Sequence, residues 1–103
     1  METHFKRSVS QGITLVGFNA AWCLPCRRQA TIIESLAQDF RGAARIRTLD
    51  IDENQSIAMD LGIQSIPTII IYKNGKEIRR FVGLQPAETL DNALRAAMDI
   101  AES

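Results

Sequence analysis

Charge of one sign is missing from this chain. Twelve Lys and Arg residues match twelve Asp and Glu residues over 103 positions. A formal charge of zero gives no long-range field to attract nucleic acid or an anionic membrane surface. Long hydrophobic runs are missing as well. Stretches such as Ile13–Phe18 and Thr68–Tyr72 fall far short of a membrane span. The opening residues Met1-Glu2-Thr3-His4-Phe5-Lys6-Arg7 contain no apolar signal-peptide core, so a cytoplasmic protein is expected. Three prolines and six glycines exclude collagen-like and low-complexity classes. The single histidine, His4, has no spacing relation to either cysteine and is expected on the surface.

Cysteine is scarce too, at two residues. They are too close together to staple a fold, because so short a loop hardly constrains the unfolded chain. They are also too few for a structural zinc or iron–sulfur site within one chain. What is present is globular: 46% hydrophobic residues. One small domain, 1–103, is expected, with a real core and little surplus stability.

The two cysteines lie in Trp22-Cys23-Leu24-Pro25-Cys26. Before them runs the apolar stretch Ile13–Phe18, which suits a strand buried on both faces. After them Ala30, Ile33, Leu36, Ala37 and Phe40 recur at helical spacing through Leu24–Phe40. Pro25 falls in the first turn, where its missing N–H costs nothing. A strand thus delivers a Cys-x-x-Cys pair to a helix N-terminus. In a reducing compartment such a pair is catalytic or metal-binding rather than structural.

The rest of the chain alternates in the same way. Residues 3–10 suit a short helix, broken by Gln11-Gly12. Ala44–Ile51 reads as a strand and Gln55–Leu61 as a short helix stopped by Gly62. Thr68–Tyr72 is a β-branched strand. Asn74-Gly75 signals a tight hairpin, and Glu77–Val82 is the returning strand. Pro86 opens a last helix with Leu90, Ala93, Leu94, Ala97 and Met98 on one face. Met59 and Met98 read as core filler. The β-α-β crossover makes the first two strands parallel. The fold class is α/β: a mixed four-stranded sheet with helices on both faces. Asp50, Asp52 and Glu53 read as a solvated acidic patch.

Four motifs in order resemble the thioredoxin family over nearly the whole chain. Trp22-Cys23-Leu24-Pro25-Cys26 is similar to its Trp-Cys-Gly-Pro-Cys. Ser65-Ile66-Pro67-Thr68 resembles its cis-proline segment, Lys73-Asn74-Gly75-Lys76 its hairpin, and Val82-Gly83 the pair before its last helix. The departures are specific. Gly17 stands where the family usually has a buried Asp, and Thr48 where that acid's Lys partner stands. Asn19 replaces a bulky aromatic, and Leu24 replaces Gly. The family's first edge strand is expected to be missing.

The resemblance implies roles. Cys23 is the expected nucleophile, favoured as thiolate by the helix N-terminus. For thioredoxin itself such a cysteine is known to drop from roughly 8.5 to about 7. Cys26 is expected to be more buried, and to resolve the mixed disulfide. Pro67, expected cis, places the Ile66 backbone beside the sulfurs. Trp22, Leu24, Ile66 and Gly83 are expected to form an apolar rim for substrate, with burial in the core as the alternative for Trp22. Pro25 is expected to stiffen the dithiol loop. Without an acid at position 17, Cys26 must lose its proton to water or to Cys23, which slows resolution near neutral pH.

The implied function is a protein-disulfide reductase that binds no cofactor. Its electrons come from NADPH through a thioredoxin reductase. Disulfide-containing proteins are its substrates, and a monomer without nucleic-acid or membrane partners is expected. Three alternatives stay open. One is a less reducing oxidase or isomerase-like exchanger, left room by Leu24 and Gly17. Another is a partner-specific dithiol switch. The third is a metal or cluster shared by two copies of the chain.

Overall fold

The computed structural model describes residues 2–99. Their elements run α1 (Glu2–Ser8), β1 (Ile13–Asn19), α2 (Leu24–Asp39), β2 (Arg45–Asp50), α3 (Gln55–Asp60), β3 (Thr68–Lys73), β4 (Lys76–Val82) and α4 (Ala87–Asp99). The expected elements all form, with ends shifted by one or two residues. Pro86 lies just outside α4, and its carbonyl accepts the Leu90 N–H at 3.3 Å.

The sheet order is β2-β1-β3-β4. β1 pairs parallel with β2, Gly17 facing Thr48 and Asn19 facing Asp50. It pairs antiparallel with β3, Val16 facing Ile70. Four strands therefore form the sheet among the described residues, and β2 is one edge. β1 and β3 are buried along nearly their whole length. This is why they read as unbroken apolar runs instead of alternating.

One face of the sheet is covered by α2 and α4. Ile33, Leu36 and Phe40 of α2 and Leu90, Ala93, Leu94 and Ala97 of α4 pack on Ile13, Leu15, Ile69 and Ile71. Burying a side chain such as Leu90 or Leu94 contributes about 1.5–3 kcal/mol. The other face is more thinly covered by the short α1 and α3. There Val9 and Ile57 pack on Val16, Phe18, Ile70 and Tyr72. The Phe5 ring meets Tyr72 edge-on at 5.8 Å.

The β3–β4 hairpin turns on Asn74 (φ 51°) and Gly75 (φ 88°), the double positive φ that a primed turn requires. The turn is tied to the start of β1. Gly12 N–H donates to Asn74 Oδ1 at 2.8 Å, and Gly75 N–H donates to the Val9 carbonyl at 3.0 Å.

Two expectations about the core fail. Met59 is 80% exposed and Met98 is 36% exposed. α3 spans six residues, so its buried side is filled by Ile57 and Ala58 and Met59 falls outside it. Met98 lies beside Ala97, which takes the inward position on α4. His4 is exposed as expected. No helix among the described residues is long and apolar enough to cross a membrane.

Candidate active site

β1 ends at Asn19, and Ala20–Trp22 turn the chain back into α2. The Cys23 N–H closes that turn on the Ala20 carbonyl at 3.1 Å. Cys23 is the N-cap of α2 (φ −94°, ψ 111°). Its Sγ accepts the Cys26 backbone N–H at 3.2 Å. An N-cap side chain ordinarily uses oxygen for this purpose; here sulfur does it. Cys23 and Cys26 are joined as a disulfide, with Cα atoms 5.3 Å apart.

The bridge packs with Ala20 against Ile51 and Ile66. Cys23 is 5% exposed and Cys26 4%, so the expected difference in burial between them is absent in the disulfide form.

The Ile66–Pro67 peptide is cis. The Ile66 carbonyl oxygen lies 3.9 Å from Cys23 Sγ. Two bonds hold this segment. Thr68 Oγ1 donates to the Ser65 carbonyl at 2.5 Å, and Gly83 N–H donates to the Pro67 carbonyl at 2.8 Å. The latter brings Gly83 next to Pro67. Around the bridge stand exposed apolar side chains: Trp22 at 68%, Leu24 at 69%, Val82 at 61% and Leu84 at 41%. Trp22 is therefore on the surface and not in the core. Val82 and Leu84 flank Gly83 and extend the rim that sequence reasoning drew without them.

Three features escaped the sequence. Gln29, at 1% exposure, lies in the buried stripe of α2. Its amide donates to the Gln85 carbonyl at 3.1 Å and accepts the Gln85 N–H at 2.7 Å. This pair of hydrogen bonds ties the loop that carries Gly83 and Leu84 to α2. Hydropathy periodicity cannot find a buried amide; a polar residue at a core position of the helical stripe was the available signal. Asp52 is not merely solvated, because its Oδ2 accepts the Trp22 indole N–H at 2.9 Å. Asp50 is likewise engaged, its Oδ1 accepting the N–H groups of Asp52 and Glu53 at 2.8 and 3.2 Å. Both belong to the turn beside the site.

Position 17 has no room for a Cβ unless the end of the Ile33 side chain moves. A Cβ placed on Gly17 would lie 2.6 Å from Ile33 Cδ1. The packing between β1 and α2 is therefore apolar at that point. At Asn19 an open surface depression of about 230 Å³ lies beside Cys26. Its lining includes Ala20, Arg27, Ala30 and Asp50. Arg27 Nη2 donates to the Ala21 carbonyl at 3.5 Å.

A disulfide whose first cysteine caps a helix at the end of a central strand, faced by a cis-proline, defines a thiol–disulfide oxidoreductase. Comparison with known proteins makes this specific. The family model described as Thioredoxin matches residues 1–96. Thioredoxin of Staphylococcus haemolyticus is 42% identical over 93 residues, spanning 90% of this chain and 89% of that one. Thioredoxin of Staphylococcus aureus is 43% identical over 93 residues, with the same coverage of 90% and 89%. A solved mutant thioredoxin from Halobacterium salinarum NRC-1 superposes with a TM-score of 0.85 at 27% identity, covering 97% of this chain and 88% of that one. The chain belongs to the thioredoxin family, whose members are protein-disulfide reductases.

Proposed function

We propose that this protein reduces disulfides in other proteins by cycling Cys23 and Cys26 between dithiol and disulfide. The observation that carries the reading is the position of Cys23 Sγ. It caps α2, receives the Cys26 N–H, and sits beside the Ile66 carbonyl. Once reduced, a sulfur so placed is favoured as thiolate by the unpaired N–H groups of the first helical turn.

The thiolate of Cys23 attacks one sulfur of a substrate disulfide. A Cys23–substrate bond forms and the other substrate sulfur leaves as thiolate. Cys26 then loses its proton and attacks Cys23. The mixed disulfide breaks, the second substrate sulfur leaves, and the internal bridge re-forms. The substrate gains two electrons in the full cycle.

The substrate surface follows from the exposed rim. Trp22 and Leu24 flank Cys23 on one side and Gly83 lies next to Pro67 on the other, while the Ile66 backbone offers a hydrogen-bonding edge for an extended chain. Pro25 restricts the loop between the sulfurs. Electrons come from NADPH through a flavoprotein thioredoxin reductase. The protein works as a cytoplasmic monomer and single domain, 1–103, on disulfide-containing proteins.

Trapping tests the order of attack. Reduced Cys26→Ser should accumulate a covalent adduct with a disulfide-bonded protein substrate, visible by intact mass. Cys23→Ser should accumulate none. Equal trapping by the two variants, or none by either, contradicts the assigned roles.

A further inference from the structure

Resolution of the mixed disulfide requires Cys26 to give up a proton, and most of its surroundings cannot accept one. The bridge packs on Ala20, Ile51 and Ile66. One side is different. The depression of about 230 Å³ at the end of β1 is lined by Cys26 and by the carboxylate-bearing Asp50, with Asn19 and Arg27. The depression is open on its solvent side, so water enters it, and Asn19, Arg27 and Asp50 supply polar groups in a lining that is otherwise apolar.

We propose that Asp50 is a positioning residue for the proton transfer from Cys26, acting through solvent in this depression. The proposal rests on the dithiol cycle above. Asp50 is the last residue of β2, held in register opposite Asn19 of β1. The Asp52 and Glu53 N–H groups engage its Oδ1, and the residue lines the same depression as Cys26. With Cys23 in a mixed disulfide, the Cys26 thiol passes its proton to a water there, which passes one on to Asp50. The Cys26 thiolate attacks Cys23 Sγ, the Cys23–substrate bond breaks, and the electron pair leaves with the substrate sulfur. That thiolate recovers a proton from Asp50 or solvent, so no further oxidant or reductant is needed.

The charges facing Asp50 are those of Arg27 from α2 and of Asp52 and Glu53 from the adjoining turn. Asp52 is committed to the Trp22 indole. Asn19 keeps the passage open, since a bulkier side chain there would occupy the space.

The test uses the reduced full chain and a nitrobenzoate disulfide whose released thiolate absorbs visible light. The first release reports attack by Cys23 and the second reports resolution by Cys26. In Asp50→Asn the amide oxygen keeps both turn bonds while the charge is lost. The second release should slow by about tenfold to a hundredfold at neutral pH and depend more steeply on pH, with the first release unchanged. Asn19→Leu, which fills the depression without touching the turn, should slow the second release in the same direction. An unchanged rate and pH profile of the second release in either folded variant overturns the role of Asp50. Absence of any second release in the unmodified protein overturns the dithiol cycle itself.

Discussion

Ile33 occupies the space that a side chain at Gly17 would need, its Cδ1 lying 2.6 Å from where a Cβ on Gly17 would sit. The two positions are one packing unit between β1 and α2. Gly17→Ala forces the Ile33 side chain off its present rotamer, and should destabilise the protein by about 0.5–1.5 kcal/mol. Ile33→Val removes the clashing carbon and alone should cost about 0.5–1.5 kcal/mol. Together they should cost less than their sum, as measured by a denaturation double-mutant cycle. Strict additivity would show that the two side chains do not compete. The same geometry bears on restoring an acid at this site. Gly17→Asp should be tried in the Ile33→Val background, where the new carboxylate has room.

Tyr72 ties stability to alkaline pH. Its hydroxyl is buried and has no hydrogen-bond partner among the described residues. Burial, with Glu77 adding to it and Arg80 opposing, pushes its pKa from 10 up to about 12. The folded protein holds this proton more tightly than the unfolded chain. The stabilisation is therefore intact below about pH 10 and is lost as pH rises toward about 12. Urea denaturation across that range should show falling stability. In Tyr72→Phe the fall should be smaller. At neutral pH the same variant should be as stable as the unmodified protein or up to about 1 kcal/mol more so, because an unsatisfied buried hydroxyl has been removed.

Gln29 holds the rim loop from beneath. Gln29→Leu keeps the volume but strips both partners from the Gln85 backbone, at a cost of about 1–3 kcal/mol. Thermal denaturation should show a lower Tm. The loop also carries Gly83 and Leu84, so KM for a disulfide-bonded protein should rise while the kinetics with a small nitrobenzoate disulfide stay the same. Equal effects on the two substrates would mean the bond serves stability alone.

Much of this was legible in the amino-acid order, and the failures have physical causes. β1 and β3 are apolar runs bounded by turn residues, and the cysteine pair with Pro25 marks a helix start by itself. The crossover rule and the Asn74-Gly75 turn supply the parallel β1–β2 pair and the antiparallel β3–β4 pair, while the pairing of β1 with β3 was not legible from either. What stayed hidden depends on contacts between residues distant in sequence. No spacing rule joins Gly17 to Ile33, Trp22 to Asp52, or Gln29 to Gln85. Met59 failed for another reason. In a helix as short as α3 one inward stripe is already supplied by Ile57 and Ala58, and hydrophobicity alone does not say which apolar residue is left outside.

How reducing the Cys23–Cys26 pair is stands at the centre of the functional reading. The most direct measurement is the equilibrium reduction potential of the Cys23–Cys26 disulfide, taken with NADPH-coupled turnover of a disulfide-bonded protein in the presence of a thioredoxin reductase. A reductase should give a potential near about −270 mV, the value known for thioredoxin itself, together with steady turnover. A potential tens of millivolts higher with no turnover would contradict it and assign the pair to the oxidising direction.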